Sequence, residues 1–243
     1  MEDLNSRQQD LLKAVVEEYT STAEPVGSEN LVEKYNLGIS PATVRNEMVR
    51  LTELGYLAQP HTSAGRIPTP TGIKFYINSL MKEQSLPVKD EVAVREELWE
   101  HRFEFPRLLK LSARRLAEKT GSLALAASDE GELYHFGSHA ILDMPEFYDI
   151  DLTKTILLLL DQNELLGEIF NKAVGEEEVH VLIGDDLGYE YLRPCSIVFS
   201  HFGSGVGKSG AIGVVGPSRM EYNRIFPTVR YFGSLLDEIS SLW

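Results

Sequence analysis

The apolar positions of the first forty residues recur at helical spacing and predict two short helices. One stripe on the first helix consists of Leu11, Leu12, Val15, Val16 and Tyr19. Ser6 and Gln9 stand three residues apart just before this stripe, which is the spacing of a capping box and predicts that the helix begins there. A polar turn with Pro25 and Gly27 follows, and Ser28 can then cap the second helix.

A third helix is predicted to begin at Ser40, because serine is a favoured N-cap and Pro41 loses no hydrogen bond at the first helical position. Its buried stripe is predicted to consist of Val44, Met48, Leu51 and Leu54. Gly55 follows this stripe and can take the left-handed conformation that ends many helices.

The pattern after Gly55 changes to short extended segments and tight turns. Residues 56–59 predict a strand, and the turn-rich residues 60–68 predict a hairpin. A fourth helix is predicted to begin at Thr69-Pro70 and to run to about Lys82. The order of helix, helix, tight turn, helix and β-hairpin predicts a winged helix-turn-helix domain over residues 1–83.

The remaining pattern predicts a second, α+β domain. Residues 84–121 are expected to hold a linker around Pro87 and two helices separated near Pro106, since an interior proline breaks a helix. Within residues 122–243 the predicted elements are strands at 122–128 and 132–142, helices in 151–174, strands at 179–183, 196–199 and 211–215, and a helix over 221–240. Helices packed on one antiparallel sheet give the α+β class, and we expect this domain to serve dimerisation or regulation.

The charge of the chain is unevenly distributed. The net charge of −14 argues against nucleic-acid binding, but residues 40–82 carry five basic and two acidic side chains. This segment is net basic, whereas residues 1–39 and 83–243 are net acidic. A DNA-binding protein needs a basic face and not a basic chain, so the charge pattern is compatible with DNA binding through residues 40–82.

Composition excludes several other classes of protein. Cys195 is the single cysteine, so no internal disulfide can form. The aliphatic run at 156–160 is far too short to span a bilayer, and the N-terminal residues have no signal-peptide pattern. We therefore expect a cytoplasmic protein, and the sequence gives no reason to expect a cofactor or a catalytic site.

Six residues of the predicted third helix are candidates for DNA contact, because they stand away from its buried stripe or at its N-terminus. They are Ser40, Ala42, Thr43, Arg45, Asn46 and Arg50. Arginine can pair with guanine and asparagine with adenine in the major groove, each through two hydrogen bonds. Ser40 and Thr43 can bind phosphate, which the N-terminus of a helix favours.

The predicted hairpin supplies further candidates. They are His61, Thr62, Ser63, Gly65 and Arg66. Arg66 is a natural contact for the minor groove or a phosphate, His61 and Thr62 can donate hydrogen bonds to phosphate, and small residues let the backbone approach closely. The alternative for the helix is that Arg45 and Arg50 form ion pairs with Glu47 or Glu53 on a solvated face.

Several segments together resemble the bacterial heat-inducible transcription repressor family HrcA. At the N-terminal end they are 8–9, 24–28, 41–48, 54–57 and, most specifically, 60–69, which has the sequence PHTSAGRIPT. Near the other end they are 181–184 and 210–222, the second with the sequence GAIGVVGPSRMEY. The resemblance covers about half of the chain.

The resemblance implies a winged helix, a second domain similar to the GAF fold, and a dimerising segment inserted into that domain. It also implies double-stranded DNA with an inverted-repeat operator upstream of chaperone genes as a target, a homodimer, and a GroEL-type chaperonin as a partner. Members of the family are usually about a hundred residues longer. Here the strand candidates on either side of Asp129-Glu130-Gly131 follow each other directly, so most of the inserted segment is expected to be absent.

Other functions were weighed against this one. Residues 202–209 resemble a phosphate-binding loop, but the first glycine is one position out and a strand is predicted to follow. Residues 205–210 spell a G-x-G-x-x-G pattern without the context of a dinucleotide site. The six histidines are scattered, so no metal site is predicted. A winged-helix adaptor for protein interactions and a ligand-sensing regulator of other genes stay open as alternatives.

Overall fold

The structure is a computed structural model that describes residues 4–172, 177–203 and 208–243. The chain divides into two compact units, residues 1–82 and 83–243. The first unit contains the net-basic residues 40–82 together with the net-acidic residues 1–39, and the second unit is net acidic.

The first unit has the element order of a winged helix-turn-helix. Its helices and strands are α1 (Ser6–Thr22), α2 (Ser28–Lys34), α3 (Pro41–Glu53), β1 (Leu57–Ala58), β2 (Ile67–Pro68) and α4 (Pro70–Phe75), followed by a π-helical turn at Tyr76–Leu80. The strands β1 and β2 pair antiparallel and form the wing, with Leu57 opposite Pro68. The predicted order of elements in this unit is confirmed.

Two helix caps differ from the prediction. Asn5 and not Ser6 caps α1: its side chain accepts from the backbone nitrogen of Gln8, and the Gln8 side chain accepts from the backbone nitrogen of Asn5. The capping box is therefore present but lies one residue earlier. The cap of α2 is Gly27, whose extended backbone precedes the first turn, so Ser28 is already helical.

The ends of α3 follow the prediction. The Ser40 hydroxyl accepts from the backbone nitrogen of Thr43 at 3.2 Å. Gly55 has a φ of 82°, and the backbone nitrogen of Tyr56 donates to the carbonyl oxygen of Leu51 at 2.9 Å. This hydrogen bond closes the C-terminus as a Schellman motif and directs the chain into β1. Leu54, predicted as part of the buried stripe, is only half-buried because it stands at the cap itself.

A buried carboxylate joins α1 to α2. Glu18 is 3% exposed, and its Oε1 accepts from Lys34 Nζ at 2.5 Å and from Asn30 Nδ2 at 3.2 Å. The hydroxyl of Tyr35 lies 3.5 Å from Glu18 Oε2. Burial, and secondarily the charge of Glu18, raises the pKa of Tyr35 to about 12. This cluster fixes the first two helices of the unit that carries α3.

The second unit is a five-stranded antiparallel sheet between two layers of helices. Its elements are α5 (Val88–Glu100), α6 (Phe105–Thr120), β3 (Leu123–Ser128), β4 (Leu133–Phe136), α7 (Ile150–Leu160), α8 (Asn163–Phe170), β5 (His180–Ile183), β6 (Cys195–Phe202), β7 (Gly210–Pro217) and α9 (Tyr222–Ser240). The strand order is β4-β3-β7-β6-β5, and every pair is antiparallel. The predicted α+β class with an antiparallel sheet is confirmed, while the likeness to the GAF fold stays a prediction.

Successive side chains of each strand point to opposite faces of the sheet. Leu125 of β3, Phe199 of β6 and Val215 of β7 face a core that also contains Ile156 of α7 and Phe170 of α8. The opposite face packs against α6 and α9. Residues 84–121, set apart in the sequence as linker and helices, thus contribute α6 to one layer of the second unit.

Two predictions within this unit are wrong in detail. The strand expected over residues 132–142 ends at Phe136, and a 3-10 helix at Ser138–Asp143 follows. Gly137 turns the chain with a φ of 80°, and a Cβ there would lie 2.5 Å from the carbonyl oxygen of Ser122. The two predicted helices are present as α5 and α6, but Pro106 does not separate them, because it lies in the first turn of α6, where its missing N–H is not needed. Within the described residues, no helix is both long and apolar enough to cross a membrane.

Candidate nucleic-acid interface

The exposed face of α3 carries most of the helical residues selected from the sequence. Ala42, Arg45, Asn46 and Arg50 are exposed, and Thr43 is half-buried. Val44, Met48 and Leu51 are buried on the opposite side, which fixes the rotation of the helix in the unit. The hydrophobic core therefore determines which side chains of α3 face solvent.

The N-terminus of α3 has the geometry of an anion-binding site, but part of its hydrogen-bonding capacity is already used within the protein. Ser40 is the cap residue, and its hydroxyl lies 3.0 Å from that of Thr43. Both hydroxyls are near the free backbone N–H groups of the first turn, where phosphate oxygens are favoured. Ser40 thus serves the helix itself and can contact a phosphate only through its remaining hydrogen-bonding capacity.

The side chain of Arg45 makes no hydrogen bond or ion pair with any described residue. Glu47, which the sequence offered as an ion-pair partner for Arg45, is instead bound by side chains of α1. Its carboxylate accepts from Arg7 NH1 at 3.4 Å and from Gln8 Nε2 at 3.2 Å. Glu47 is half-buried against α1, on the side away from Arg45. A guanidinium that is exposed and lacks a local carboxylate is available to a ligand with acceptor atoms.

Arg50 matches the alternative prediction, in which it forms an ion pair on a solvated face of the helix. Its NH1 lies 3.3 Å from Glu53 Oε2 in an ion pair one turn along the helix. Both side chains are at least half exposed, so the pair contributes little to stability and can open. Arg50 is accordingly a weaker candidate for base contact than Arg45.

The wing is held in place by a side chain that sequence reasoning did not select. Gln59 Nε2 donates to the carbonyl oxygens of Thr62 and Ala64, both at 3.0 Å. These two hydrogen bonds close the turn that carries His61, Thr62 and Ser63, all three of which are exposed. In the sequence, Gln59 is distinguished only as a polar residue at the start of a turn. Many glutamines occupy such positions, so its role in the wing could not be predicted.

The base of the wing is joined to the turn before α2. Val26 and Arg66 exchange two backbone hydrogen bonds, of 2.8 and 2.9 Å. A Cβ on Gly65 would lie 2.3 Å from the carbonyl oxygen of Val26. Gly65 is therefore required by an approach inside the protein, whereas the sequence suggested an approach to DNA.

The Arg66 side chain is also tied to its own unit. Its Nε donates to Thr52 Oγ1 at 3.1 Å, and its NH1 lies 3.5 Å from the carbonyl oxygen of Gly65. The side chain is half-buried and connects the base of the wing to the last turn of α3. Beyond these two contacts, the guanidinium has further N–H groups that can donate to a phosphate.

Helix α3 and the wing border a common cleft of about 370 Å³. The lining residues from α3 are Arg45, Met48 and Val49, and those from the wing are Gln59 and 62–66. The others are Val26 and Gly27 in the turn before α2 and Ser28 at the start of α2. The structure thus brings Arg45 together with Thr62, Ser63, Gly65 and Arg66. Ser40, Ala42, Thr43, Asn46, Arg50 and His61 do not line this cleft.

The rival sites considered in the sequence find no support among the described residues. The stretch after the phosphate-loop pattern is β7 and not a helix, and residues 204–207 of that pattern lie outside the described part of the chain. In residues 4–172, 177–203 and 208–243, no group of His, Cys, Asp or Glu side chains is arranged to hold a metal ion. Cys195 is buried, and burial raises the pKa of its thiol to about 12.

Comparison with known families gives two matches that together cover most of the chain. A model described as "Winged helix-turn-helix transcription repressor, HrcA DNA-binding" matches residues 3–83. A model described as "HrcA protein C terminal domain" matches residues 71–226.

Curated relatives agree with these matches. The heat-inducible transcription repressor HrcA of Pelotomaculum thermopropionicum is 28% identical over 336 aligned residues, covering 97% of each protein. That of Carboxydothermus hydrogenoformans is 29% identical, over 97% of this chain and 98% of the relative. Because the first alignment is longer than the 243 residues of this chain, more than ninety aligned positions have no counterpart here.

The fold has also been observed experimentally. A solved structure titled as a hypothetical protein superposes with a TM-score of 0.79 over 99% of each chain, at 19% identity. At that identity the likeness concerns the fold alone.

Proposed function

Since this chain belongs to the HrcA family, we propose that it is a DNA-binding transcription repressor, and that it represses heat-inducible chaperone genes by binding an inverted-repeat operator. The relatives are named heat-inducible transcription repressors, which supports the regulatory part of the proposal. The winged-helix match over residues 3–83 supports the DNA-binding part.

The observation that carries the proposal is the exposed Arg45, without a partner among the described residues, on a helix whose position is fixed by the core. In a winged helix-turn-helix the third helix enters the major groove, where a guanidinium can donate two hydrogen bonds to a guanine. Arg66, Thr62 and Ser63 border the same cleft and are placed to contact the adjacent backbone or the minor groove. Phosphate contacts would supply most of the affinity and Arg45 much of the sequence preference.

Dimerisation through the second unit is the next part of the proposal, because an inverted repeat is matched by a two-fold symmetric protein. Helix α7 exposes Ile150, Leu157 and Leu158 at positions i, i+7 and i+8, which lie on one face. An exposed apolar face of this kind is typical of a protein interface. We propose that it contributes to the dimer, in a chain that lacks more than ninety positions of its relatives.

The proposed partners are thus double-stranded DNA, a second copy of the chain and a GroEL-type chaperonin. The proposal of a chaperonin as partner rests on family membership alone. Co-sedimentation of the full chain with the chaperonin tests this proposal directly. A repressor acts at the chromosome, which in a bacterium lies in the cytoplasm.

The test of the DNA-binding proposal is selection from a library of random duplexes by the full-length chain. We expect a single inverted repeat to be enriched, with half-sites one or more helical turns apart. Enrichment of one unrepeated half-site would contradict dimeric binding while preserving DNA recognition. No enrichment over a mock selection would contradict the proposed function and favour the adaptor.

A further inference from the structure

Helix α3 exposes one large apolar side chain on its DNA-facing surface. Val49 is 41% exposed, and in the described part of the first unit, residues 4–82, it is the one large apolar side chain classed as exposed. It stands one turn after Arg45 on the same face of the helix. Both residues border the cleft between α3 and the wing.

We infer that Val49 is a specificity-determining residue that contacts the C5 methyl group of a thymine in the major groove. The inference rests on the proposed function and adds a contact that the sequence did not indicate. Among the major-groove edges of the four bases, the thymine methyl is the apolar group, and apolar side chains are its usual partners. A single exposed valine elsewhere on a surface would need no explanation, but here its neighbours on the helix face are Arg45 and Asn46.

The position of Val49 along the helix predicts where the thymine lies. Four residues of α-helix span about 6 Å along the axis. Successive base pairs are about 3.4 Å apart, so Val49 lies roughly two base-pair steps from the base that Arg45 contacts. The β-branched side chain has a restricted χ1, and therefore little rotamer freedom is lost on contact.

Replacement of thymine by deoxyuridine removes only the methyl group and tests the contact directly. The probe is the duplex selected from the random library, with deoxyuridine placed at one equivalent position in both half-sites. For the wild-type protein we expect deoxyuridine at one position to lower the affinity about fourfold per half-site, because one buried methyl group is removed. Deoxyuridine at the other thymine positions should change the affinity little.

The variant Val49→Ala, measured on the same thymine and deoxyuridine duplexes, tests the protein side of the contact. Because Val49 is exposed and alanine favours helix, the variant should fold as the wild type does. It should bind the thymine duplex more weakly and should no longer distinguish thymine from deoxyuridine at that position. The matched control is Val92→Ala, which changes an exposed valine of α5 in the second unit and should discriminate as the wild type does.

Two results would overturn the inference while the proposed function survives. One is equal affinity for thymine and deoxyuridine duplexes at every position in the wild type. The other is unchanged discrimination in Val49→Ala. If no duplex can be selected at all, the proposed function fails first and the role of Val49 falls with it.

Discussion

The side-chain amide of Gln8 in α1 donates to the carboxylate of Glu47 in α3 across 3.2 Å. Gln8 also forms the capping box of α1 with Asn5, so one side chain both starts the first helix and holds Glu47. The consequence concerns Arg45, two positions before Glu47. Since the acidic side chain is engaged by α1, the basic one is left for a ligand.

The first prediction concerns Arg45. The variant Arg45→Ala should lose at least tenfold in affinity for the selected duplex, because a guanidinium that pairs with guanine contributes about 1–3 kcal/mol per site. Its affinity for unrelated duplexes should change far less. Fluorescence anisotropy with both duplexes measures the two effects, and Arg107→Ala, at an exposed ion pair of α6 with Glu104, is the matched control. Equal losses on both duplexes would mean that Arg45 contacts only phosphate.

Gly65 gives a prediction about the wing. A methyl group at this position would lie 2.3 Å from the carbonyl oxygen of Val26, so Gly65→Ala should displace the wing and destabilise the first unit by about 1–3 kcal/mol. Hydrogen exchange of the amides in residues 4–82 should show the loss. The matched control is Gly167→Ala in α8, where a Cβ meets no atom within 4 Å. This variant should stabilise the helix by roughly 0.5–1 kcal/mol, because alanine is a better helix former than glycine. Unchanged protection in Gly65→Ala would contradict the tight approach.

A third prediction uses the ion pair between Glu83 and Arg230. The Arg230 guanidinium donates to Glu83 at 2.6 and 2.8 Å and lowers the pKa of this carboxyl below its ordinary value of 4.5. A carboxyl with a lowered pKa stabilises the fold above its unfolded pKa, and that contribution is lost as the pH falls through the lower folded pKa.

The variant Glu83→Gln should therefore be less stable than the wild type at neutral pH, with a difference that shrinks as the pH falls below 4.5. Both tryptophans, Trp99 and Trp243, belong to the second unit, so urea unfolding followed by their fluorescence measures this effect. Glu190→Gln removes an exposed carboxylate 3.6 Å from Arg193 and should show little difference at any pH. A Glu83→Gln difference that is constant with pH would exclude the ion pair as its cause.

The exposed face of α7 supplies a fourth prediction. The variant Leu158→Lys should shift the protein from dimer to monomer and weaken binding to an inverted repeat, because a charge would be buried in the proposed interface. Analytical ultracentrifugation of the free protein and of its DNA complex distinguishes the two states. Leu242→Lys, which changes a similarly exposed leucine near the C-terminus, should leave the dimer intact. A dimer that survives Leu158→Lys would place the interface elsewhere.

The sequence was most informative where the structure is determined locally. The start and the end of α3 were predicted correctly, because Ser40, Pro41 and Gly55 act on their own backbone and on neighbouring turns. The cap of α1 was misplaced by one residue, since Asn5 and Ser6 are both capable caps and the choice depends on how the preceding chain enters the helix. Adjacent capping residues cannot be ranked by residue type alone.

Contacts between distant residues could not be predicted in this way. Nothing in the pattern around Arg66 indicates its hydrogen bond to Thr52, fourteen residues earlier. The sequence predicted one strand over residues 132–142, but Gly137 ends it where the chain approaches the backbone of Ser122. Val49 lies outside the predicted buried stripe of α3, but it was not among the predicted DNA contacts, which were selected mainly for hydrogen-bonding side chains; the structure shows that it is exposed.

The central claim is that α3 and the wing bind duplex DNA with sequence preference. Its most direct test is fluorescence anisotropy of the full chain with a labelled inverted-repeat duplex from upstream of chaperone genes and with a scrambled duplex, at about 50 and 200 mM salt. We predict tight binding to the inverted repeat, much weaker binding to the scrambled duplex, and a steep loss of affinity as salt rises, because phosphate contacts release counterions. Affinity that is the same for both duplexes and unchanged by salt would contradict the account.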